Sequence, residues 1–386
     1  MIPRSQGAEL SPGLVSSSRA REIMKRFPAR KIDKLLLFAT LALALFGALM
    51  IYSATMADNP STYYLKKQLI AFLVGVVAML LGMSFDYRKL MPYSHIIYAA
   101  TIPLLLIVFV FHSRGGTHGW IPLGFFDFQP SELAKIVVII ALATFVADRR
   151  MDLSSNREFL KVIAIAGVPM FLIFLEPDFG MTISIFAILV FMLLVGGARW
   201  RQIGVLVASA TAFVALAIPL HIIKGSRLSR LLVFINPSTD PLQSGYNLMQ
   251  SKIAIGSGQL VGKGLFNGTQ TNLKFIPAHH TDFIFSVVGE ELGFIGGVVL
   301  LALFGVLLWR CFKIGVTAKD TFGTMLAIGV VVMFFLQILI NMGMTMGIMP
   351  ITGVTLPFMS YGGSSLLVNF FCVGLVLNIG MRRFQA

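Results

Sequence analysis

The chain has 386 residues, 56% of them hydrophobic and 12% charged, with a mean hydropathy of +0.84 and a formal net charge of +14. So little charge cannot cover the surface of a soluble domain, so a soluble enzyme or binding module is excluded. The basic excess suggests a nucleic-acid partner, but the distribution of the cations along the chain argues against one.

Residues 1–34 are polar, Ser-rich and basic. They read as a disordered cytoplasmic tail rather than a cleavable signal, because the apolar stretch starts only near Leu35 and no small-residue cleavage site precedes a mature domain. A basic helix over 19–34 lying on anionic lipid is the alternative. Ten apolar runs follow, at 35–54, 65–84, 93–112, 131–147, 159–175, 179–196, 203–223, 283–308, 322–343 and 364–380. A helix of about 20 residues crosses a hydrocarbon core of roughly 30 Å. Only helices fit, since lipid offers no partner to an open backbone and a closed barrel would alternate apolar and polar positions. The expected fold is an all-α polytopic membrane protein. Helices one to seven fill 35–223, a large extracytoplasmic loop 224–282, helices eight to ten 283–380, and a short cytoplasmic tail 381–386.

Orientation follows from Lys and Arg. With the N-terminus inside, the inner segments hold 21 of the 31. Both termini are then cytoplasmic, and the positive charge is a topology signal, which leaves no case for nucleic acid. No solenoid repeat or obvious inverted repeat is visible, which counts against a standard secondary transporter.

Several segments carry polar groups that lipid should exclude. The loop 114-RGGTHGWIPLG-124 presents Trp120 outside, where a lone Trp can also be an interfacial anchor. In 129-QPSELAK-135, Pro130 suits a first helical turn and Gln129 or Ser131 can cap it; Glu132 and Lys135 are three apart and can pair. That pair either holds the bundle together or faces a polar cavity open to the outside. The segment 176-EPDFG-180 puts two carboxylates in a very short outer turn. The loop 224–282 is far longer than the other connections and carries Lys224, Arg227, Arg230, Lys252, Lys263 and Lys274. Its stretch 246-YNLMQSKIAI-255 predicts a short amphipathic helix at the membrane surface.

In 279-HHTDFIFSVVGEELGF-294, Asp282 lies where the loop enters span eight. Either Thr281 or Asp282 caps that helix, or Asp282, ionised at the outer surface, acts as a general base. Glu290 and Glu291 lie about two turns further in, and at least one is expected to face the interior and pair or stay protonated. In 350-PITGVTLPFMSYGGSS-365 the Pro and Gly residues break helix while Ser360, Ser364 and Ser365 offer hydroxyls, which predicts a re-entrant segment lining a cavity before the last helix. Cys311 and Cys372 support neither a disulfide framework nor a zinc site. Adjacent His279 and His280 are poorly spaced for one metal.

The ordered set GWIPLG, FQPSELAK, EPDFG, GYNLMQSKIAIGSGQLVGKG, HTDFIFSVVGEELGF and LPFMSYGGSS resembles the SEDS family of cell-wall polymerases (RodA, FtsW and SpoVE) from about residue 34 onward. Segments 264–291 and 347–363 look more like the elongation-type RodA branch than the division-type FtsW branch. One departure is 115-GGTHGW-120, where the family often has Arg just before the Trp. The resemblance implies a peptidoglycan glycosyltransferase of the bacterial cytoplasmic membrane that polymerises lipid II, releases undecaprenyl pyrophosphate, and works in elongation and rod-shape maintenance with a class B penicillin-binding protein and other elongation-complex proteins. It implies that Asp282 is the essential acidic residue and catalytic base, and that Trp120, Glu132 and Lys135 match functionally important positions.

The chemistry suits such residues. Converting an α-linked pyrophosphate donor into a β-1,4 polymer is one inverting displacement, which needs a base for the attacking hydroxyl and cations for the leaving group, without a second carboxylate nucleophile. Candidate cations are Arg227, Arg230, Lys252, Lys274 and Lys135, with Ser360 and Ser364 as further substrate contacts. No cofactor is evident and no ligand cluster demands a metal, although a divalent cation can share the pyrophosphate. A lipid II flippase and a non-catalytic scaffold are the competing readings; a transporter's key ionisable groups belong near the midplane, whereas Asp282 is expected at the outer surface.

Overall fold

The structure, a computed structural model, describes residues 32–56, 62–111, 119–122, 127–220, 226–236, 239–240, 243–273, 275–276 and 279–383. The expected leader of 1–34 therefore lies almost wholly outside the described residues, as does Lys274; of Arg227 only the backbone is described. The expected helices are present, with boundaries moved by up to eight residues. They are α1 (Lys34–Ala54), α2 (Tyr63–Ser84), α3 (Leu90–Ile107), α4 (Pro130–Asp148), α5 (Asn156–Leu175), α6 (Phe179–Val195) and α7 (Trp200–Ala217). A two-stranded hairpin of β1 (Ile121–Pro122) and β2 (Asp127–Phe128), antiparallel with Ile121 opposite Phe128, precedes α4. The long loop contributes α8 (Ser226–Ile235), α9 (Ser244–Ser257) and α10 (Thr269–Asn272), and the chain ends with α11 (Ile284–Val316), α12 (Thr321–Met346) and α13 (Gly363–Arg382).

Among the described residues nine helices are long and apolar enough to cross a membrane, and α6, at 17 residues, meets the lower limit of about 17 for a span. They divide into two classes. Helices α4, α12 and α13 bury 78%, 72% and 89% of their apolar window inside the protein, whereas α7 buries 11%. The first three therefore form the centre, where polar side chains can be sheltered from lipid, and α7 lies at the rim. Close approach is made by small residues: a β-carbon on Gly374 of α13 would fall 2.3 Å from the Met79 carbonyl of α2.

Side-chain contacts define two faces. Asp33 before α1 takes the Arg310 guanidinium near the end of α11, Asp86 after α2 meets Arg382 at 3.5 Å, and Arg383 donates to Thr317 at 2.7 Å. The two described ends of the chain thus share one face, here the terminal face. On the opposite, loop face, Ser53 at the end of α1 donates to Glu291, and His279 Nε2 lies 2.7 Å from the Ala54 carbonyl.

The loop helix expected at 246–255 is present as α9. It turns Gly245, Leu248, Ser251 and Ala254 inward at helical spacing against α11 and α12, and Ser251 Oγ donates to the Thr345 carbonyl at 2.8 Å. Span eight, expected at 283–308, runs on to Val316. Its ladder is broken at Gly293 (φ 61°, ψ −157°), a backbone region that essentially only glycine occupies. The loop fills the gap. Phe294 and Ile295 donate to the carbonyls of Gln259 and Leu260 at 2.8 and 3.1 Å, while Lys263 and Gly264 donate to those of Glu290 and Glu291 at 3.0 Å each. A break in the bundle is tolerable because the loop backbone supplies these four partners at that point.

Candidate active site

Four chain segments converge on the loop face. The first is the turn leading into α11, which carries Asp282. Neither Thr281 nor Asp282 caps the helix: Phe283 occupies the cap position and no side chain caps there, so the capping alternative is not realised. The backbone of this turn is held from three directions. Asn341 Nδ2 of α12 donates to the Asp282 carbonyl at 2.8 Å and to the Val354 carbonyl at 2.7 Å. Ser360 Oγ donates to the Thr281 carbonyl at 2.7 Å, and Tyr361 N donates to the His280 carbonyl at 3.0 Å. The half-buried carboxylate is therefore fixed by its backbone and left outside the helix ladder.

The second segment is the re-entrant stretch between α12 and α13. Gly353, at φ +73°, lies directly before the carboxylate: a β-carbon there would sit 3.4 Å from Asp282 Oδ2 and 4.0 Å from Arg230 Nη1 of α8. A guanidinium and a carboxylate thus share one small space that glycine keeps open. The third segment is the turn 176–180. Asp178 caps α6 by accepting from Met181 N at 3.0 Å, and its other oxygen accepts from Gln129 Nε2 at 3.2 Å. A β-carbon on Gly180 would lie 2.6 Å from the Thr352 carbonyl, so this turn abuts the re-entrant stretch. The fourth is the start of α4, where Lys135 Nζ lies 2.8 Å from Glu132 Oε2 and both side chains are 0% exposed. Gln129 is the cap residue of this helix without a side-chain capping bond; its amide reaches Asp178 instead.

These charges act on one another. Burial pushes the Asp282 carboxyl up to about 6; the Arg230 guanidinium opposes the rise and the Asp178 carboxylate adds to it. Burial also raises Asp178, whose surroundings include Glu132, Lys135 and Arg230. Glu176 is pushed up to about 8 by burial and by Asp178. A carboxylate raised to about 6 beside the Arg230 guanidinium can take a proton from a hydroxyl while an anion is held nearby.

The other expected site residues lie as follows. Trp120 is half-buried before β1, and the neighbouring Gly119 approaches the Gln129 amide. Ser360 and Ser364 use their hydroxyls within the protein. Ser360 also accepts from Leu356 N at 2.8 Å, and Ser364 donates to the Asp127 carbonyl at 2.8 Å while accepting from Gln129 N at 3.0 Å. Their observed part is to hold the re-entrant stretch against the Asp282 turn and the hairpin. Lys252 is exposed on α9, with its ammonium packed over Gly347, where a β-carbon would fall 2.5 Å from Nζ. Glu290 and Glu291 both face inward. Glu290 meets Lys263 at 2.7 Å and accepts from Thr269, Gln270 and Thr271, while Glu291 accepts from Ser53 and Phe266 N. They anchor the loop rather than join the Asp282 cluster. Both His279 nitrogens face carbonyl oxygens, and no group of three or more His, Cys, Asp or Glu suited to a metal occurs among the described residues.

Two contributors escaped the sequence reading. Asp178 was visible only as part of an unusual acidic turn, with nothing to connect it to Asp282. Asn341 was missed altogether, although a polar amide inside an apolar span was itself the signal.

A family model described as "Cell cycle protein", covering FtsW, RodA and SpoVE, matches residues 33–385. The chain is 37% identical over 359 residues to "Stage V sporulation protein E" of Bacillus subtilis (90% of this chain, 96% of the relative). It is 37% identical over 371 residues to "Probable peptidoglycan glycosyltransferase FtsW" of Trichlorobacter lovleyi (92% and 95%) and 36% identical over 353 residues to "Peptidoglycan glycosyltransferase MrdB" of Escherichia coli K12 (91% and 94%). Among solved structures, a chain from a peptidoglycan synthase complex that coordinates polymerization and crosslinking matches with a TM-score of 0.76 at 28% identity, covering 92% of this chain and 99% of that one. The rod shape determining protein RodA of Thermus thermophilus matches with a TM-score of 0.69 at 28% identity (92% and 98%). The chain belongs to the FtsW/RodA/SpoVE family, a SEDS protein with the polytopic all-α fold of that family. Identities of 36–37% to all three named types do not separate the elongation branch from the others.

Proposed function

We propose that this protein is a peptidoglycan glycosyltransferase that polymerises lipid II on the outer side of the cytoplasmic membrane, with Asp282 as general base. Relatives named as peptidoglycan glycosyltransferases at 36–37% identity over nearly their whole length support the enzyme class. The observation that carries the mechanism is the Asp282 carboxylate facing Arg230 across Gly353, with its pKa raised to about 6. In the reaction, the acceptor's 4-hydroxyl oxygen bonds to the donor's anomeric carbon as the bond from that carbon to the pyrophosphate oxygen breaks. The hydroxyl proton passes to Asp282, and undecaprenyl pyrophosphate leaves carrying the bond's electron pair. Arg230 is proposed to steady the anionic leaving group, with Lys135 contributing from its buried pair with Glu132, and Asp178 to tune the base; a divalent cation can share the pyrophosphate. Lys252, Arg227 and Lys274 remain proposed contacts along the substrate path, and Trp120 with Glu132 proposed site residues. Ser360 and Ser364 would act by positioning.

The decisive assay incubates purified protein with labelled lipid II, with and without a class B penicillin-binding protein, in the presence of moenomycin. Polymer from wild type that falls about 10²–10⁴-fold with Asp282→Asn is the expected result. Lipid scrambling without polymer would point to a flippase instead. The class B partner is proposed because a structural neighbour comes from a synthase complex. Both termini are assigned to the cytoplasm by the cation distribution. We assign the chain to the elongation machinery on segments 264–291 and 347–363. Division is the second reading, favoured by the equal identity to an FtsW relative. Rescue of rod shape in cells depleted of their elongation polymerase, without rescue of septation in cells depleted of the division polymerase, is the outcome expected of the first.

A further inference from the structure

We infer that the terminal face carries a binding site for one anionic phospholipid, between the ends of α3, α4 and α12. A cavity of about 450 Å³ opens there, lined by Arg88, Met91, Ala147, Lys319, Thr321 and Phe322, with Asp320 in its wall. Its construction is two-sided. Met91, Ala147 and Phe322 form an apolar wall, and Phe322 is stiffened by stacking on Tyr87 with ring centres 6.2 Å apart. Arg88 and Lys319 supply positive charge at the rim.

The one acid in the wall is already committed. Asp320 accepts from Gly323 N at 2.8 Å as the cap of α12, from the Tyr87 hydroxyl, and from Arg88 Nε at 3.0 Å. Arg88 engages it through Nε, and 44% of the Arg88 side chain stays exposed. The site therefore presents net positive charge above an apolar slot.

Its level fits the membrane–water boundary. On the same face Trp309 is exposed, with Arg310 and Lys313 over its ring at 5.1 and 5.6 Å, and Trp200 is exposed at the start of α7. Amphipathic aromatics beside cations mark the headgroup zone. A ligand with a phosphate for the rim and an acyl chain for the slot satisfies both halves at once; a free phosphate would leave the apolar wall unused, and a neutral lipid would leave the cations unused. The site is independent of the Asp282 cluster, which lies on the other face.

The test transfers the full-length protein into detergent containing equal phosphatidylglycerol and phosphatidylcholine and counts retained lipid by native mass spectrometry. One phosphatidylglycerol per chain is expected on wild type. Lys319→Gln should lower its occupancy about five-fold, the worth of one cation near a membrane surface. Ala147→Phe, which fills the slot without changing charge, should remove it. Lys313→Gln, a cation on the same face outside the cavity, should leave it bound. Equal retention by all variants, equal binding of the neutral lipid, or displacement by millimolar inorganic phosphate would each overturn the assignment. An unchanged unfolding midpoint for Lys319→Gln is expected, and it separates loss of the rim charge from a folding failure.

Discussion

The two faces handle charge in opposite ways. On the terminal face, charged side chains pair close to solvent: Arg88 with Asp320, Arg149 with Glu158, Lys161 with Glu158, Arg382 with Asp86. On the loop face, Glu132, Lys135 and Glu176 are fully buried, and neither oxygen of Glu176 has a hydrogen-bond partner among the described residues. The backbone differs as well. Positive φ at Gly353 and Phe358 falls in the re-entrant stretch beside the Asp282 turn, and Gly293 breaks the helix that follows it. Charges at helix ends set orientation and cost little. Charges held inside a bundle cost several kcal/mol each unless paired, so their retention at one face supports the proposal that the chemistry is done there.

That contrast can be broken by mutation. The largest effect is the 10²–10⁴-fold loss of polymer expected of Asp282→Asn, with the unfolding midpoint unchanged. Next is the buried pair. Lys135→Met strands the Glu132 carboxylate and should destabilise the protein by about 3–5 kcal/mol, whereas Lys135→Met with Glu132→Gln should recover most of that loss. Thermal unfolding in detergent measures both, and equal midpoints for the single and double variants would show that the two residues are not coupled. A smaller effect is expected at Gly353→Ala. The left-handed backbone costs about 1–2 kcal/mol for a residue with a β-carbon, and the added methyl would enter the space between Asp282 and Arg230. Turnover should fall further than stability explains, with steady-state kinetics beside the unfolding curve as the check. The smallest belongs to the terminal face: Arg149→Gln, at a partly exposed pair, should shift neither midpoint nor turnover measurably.

Much of this architecture was legible in the sequence because a membrane span writes itself as a long apolar run. The ten spans, the α9 helix and the Glu132–Lys135 pair are local features, set by hydropathy or by spacing along one helix. What was not legible depends on contacts between distant segments. The break at Gly293 looked like one glycine in an apolar helix, and only the loop 258–264, some thirty residues earlier, explains how its backbone is satisfied. Asp178 and Asp282 are separated by five helices in the chain and meet only through the fold, with Gly353 between Asp282 and Arg230. Ser360 and Ser364 show the converse: hydroxyls in a helix-breaking stretch suggested ligand contacts, while their observed bonds run to backbone groups of the Asp282 turn and the hairpin.

The central claim is that Asp282 accepts the acceptor's proton, and the pH dependence of kcat/KM for lipid II polymerisation tests it most directly. A general base works deprotonated, so with its carboxyl raised to about 6 the rate should be level above that pH and fall about tenfold per unit well below it. Asp282→Asn should retain only a small residual rate without that limb. A wild-type profile level down to pH 4.5, or the same limb at pH 6 surviving in Asp282→Asn, would contradict the account.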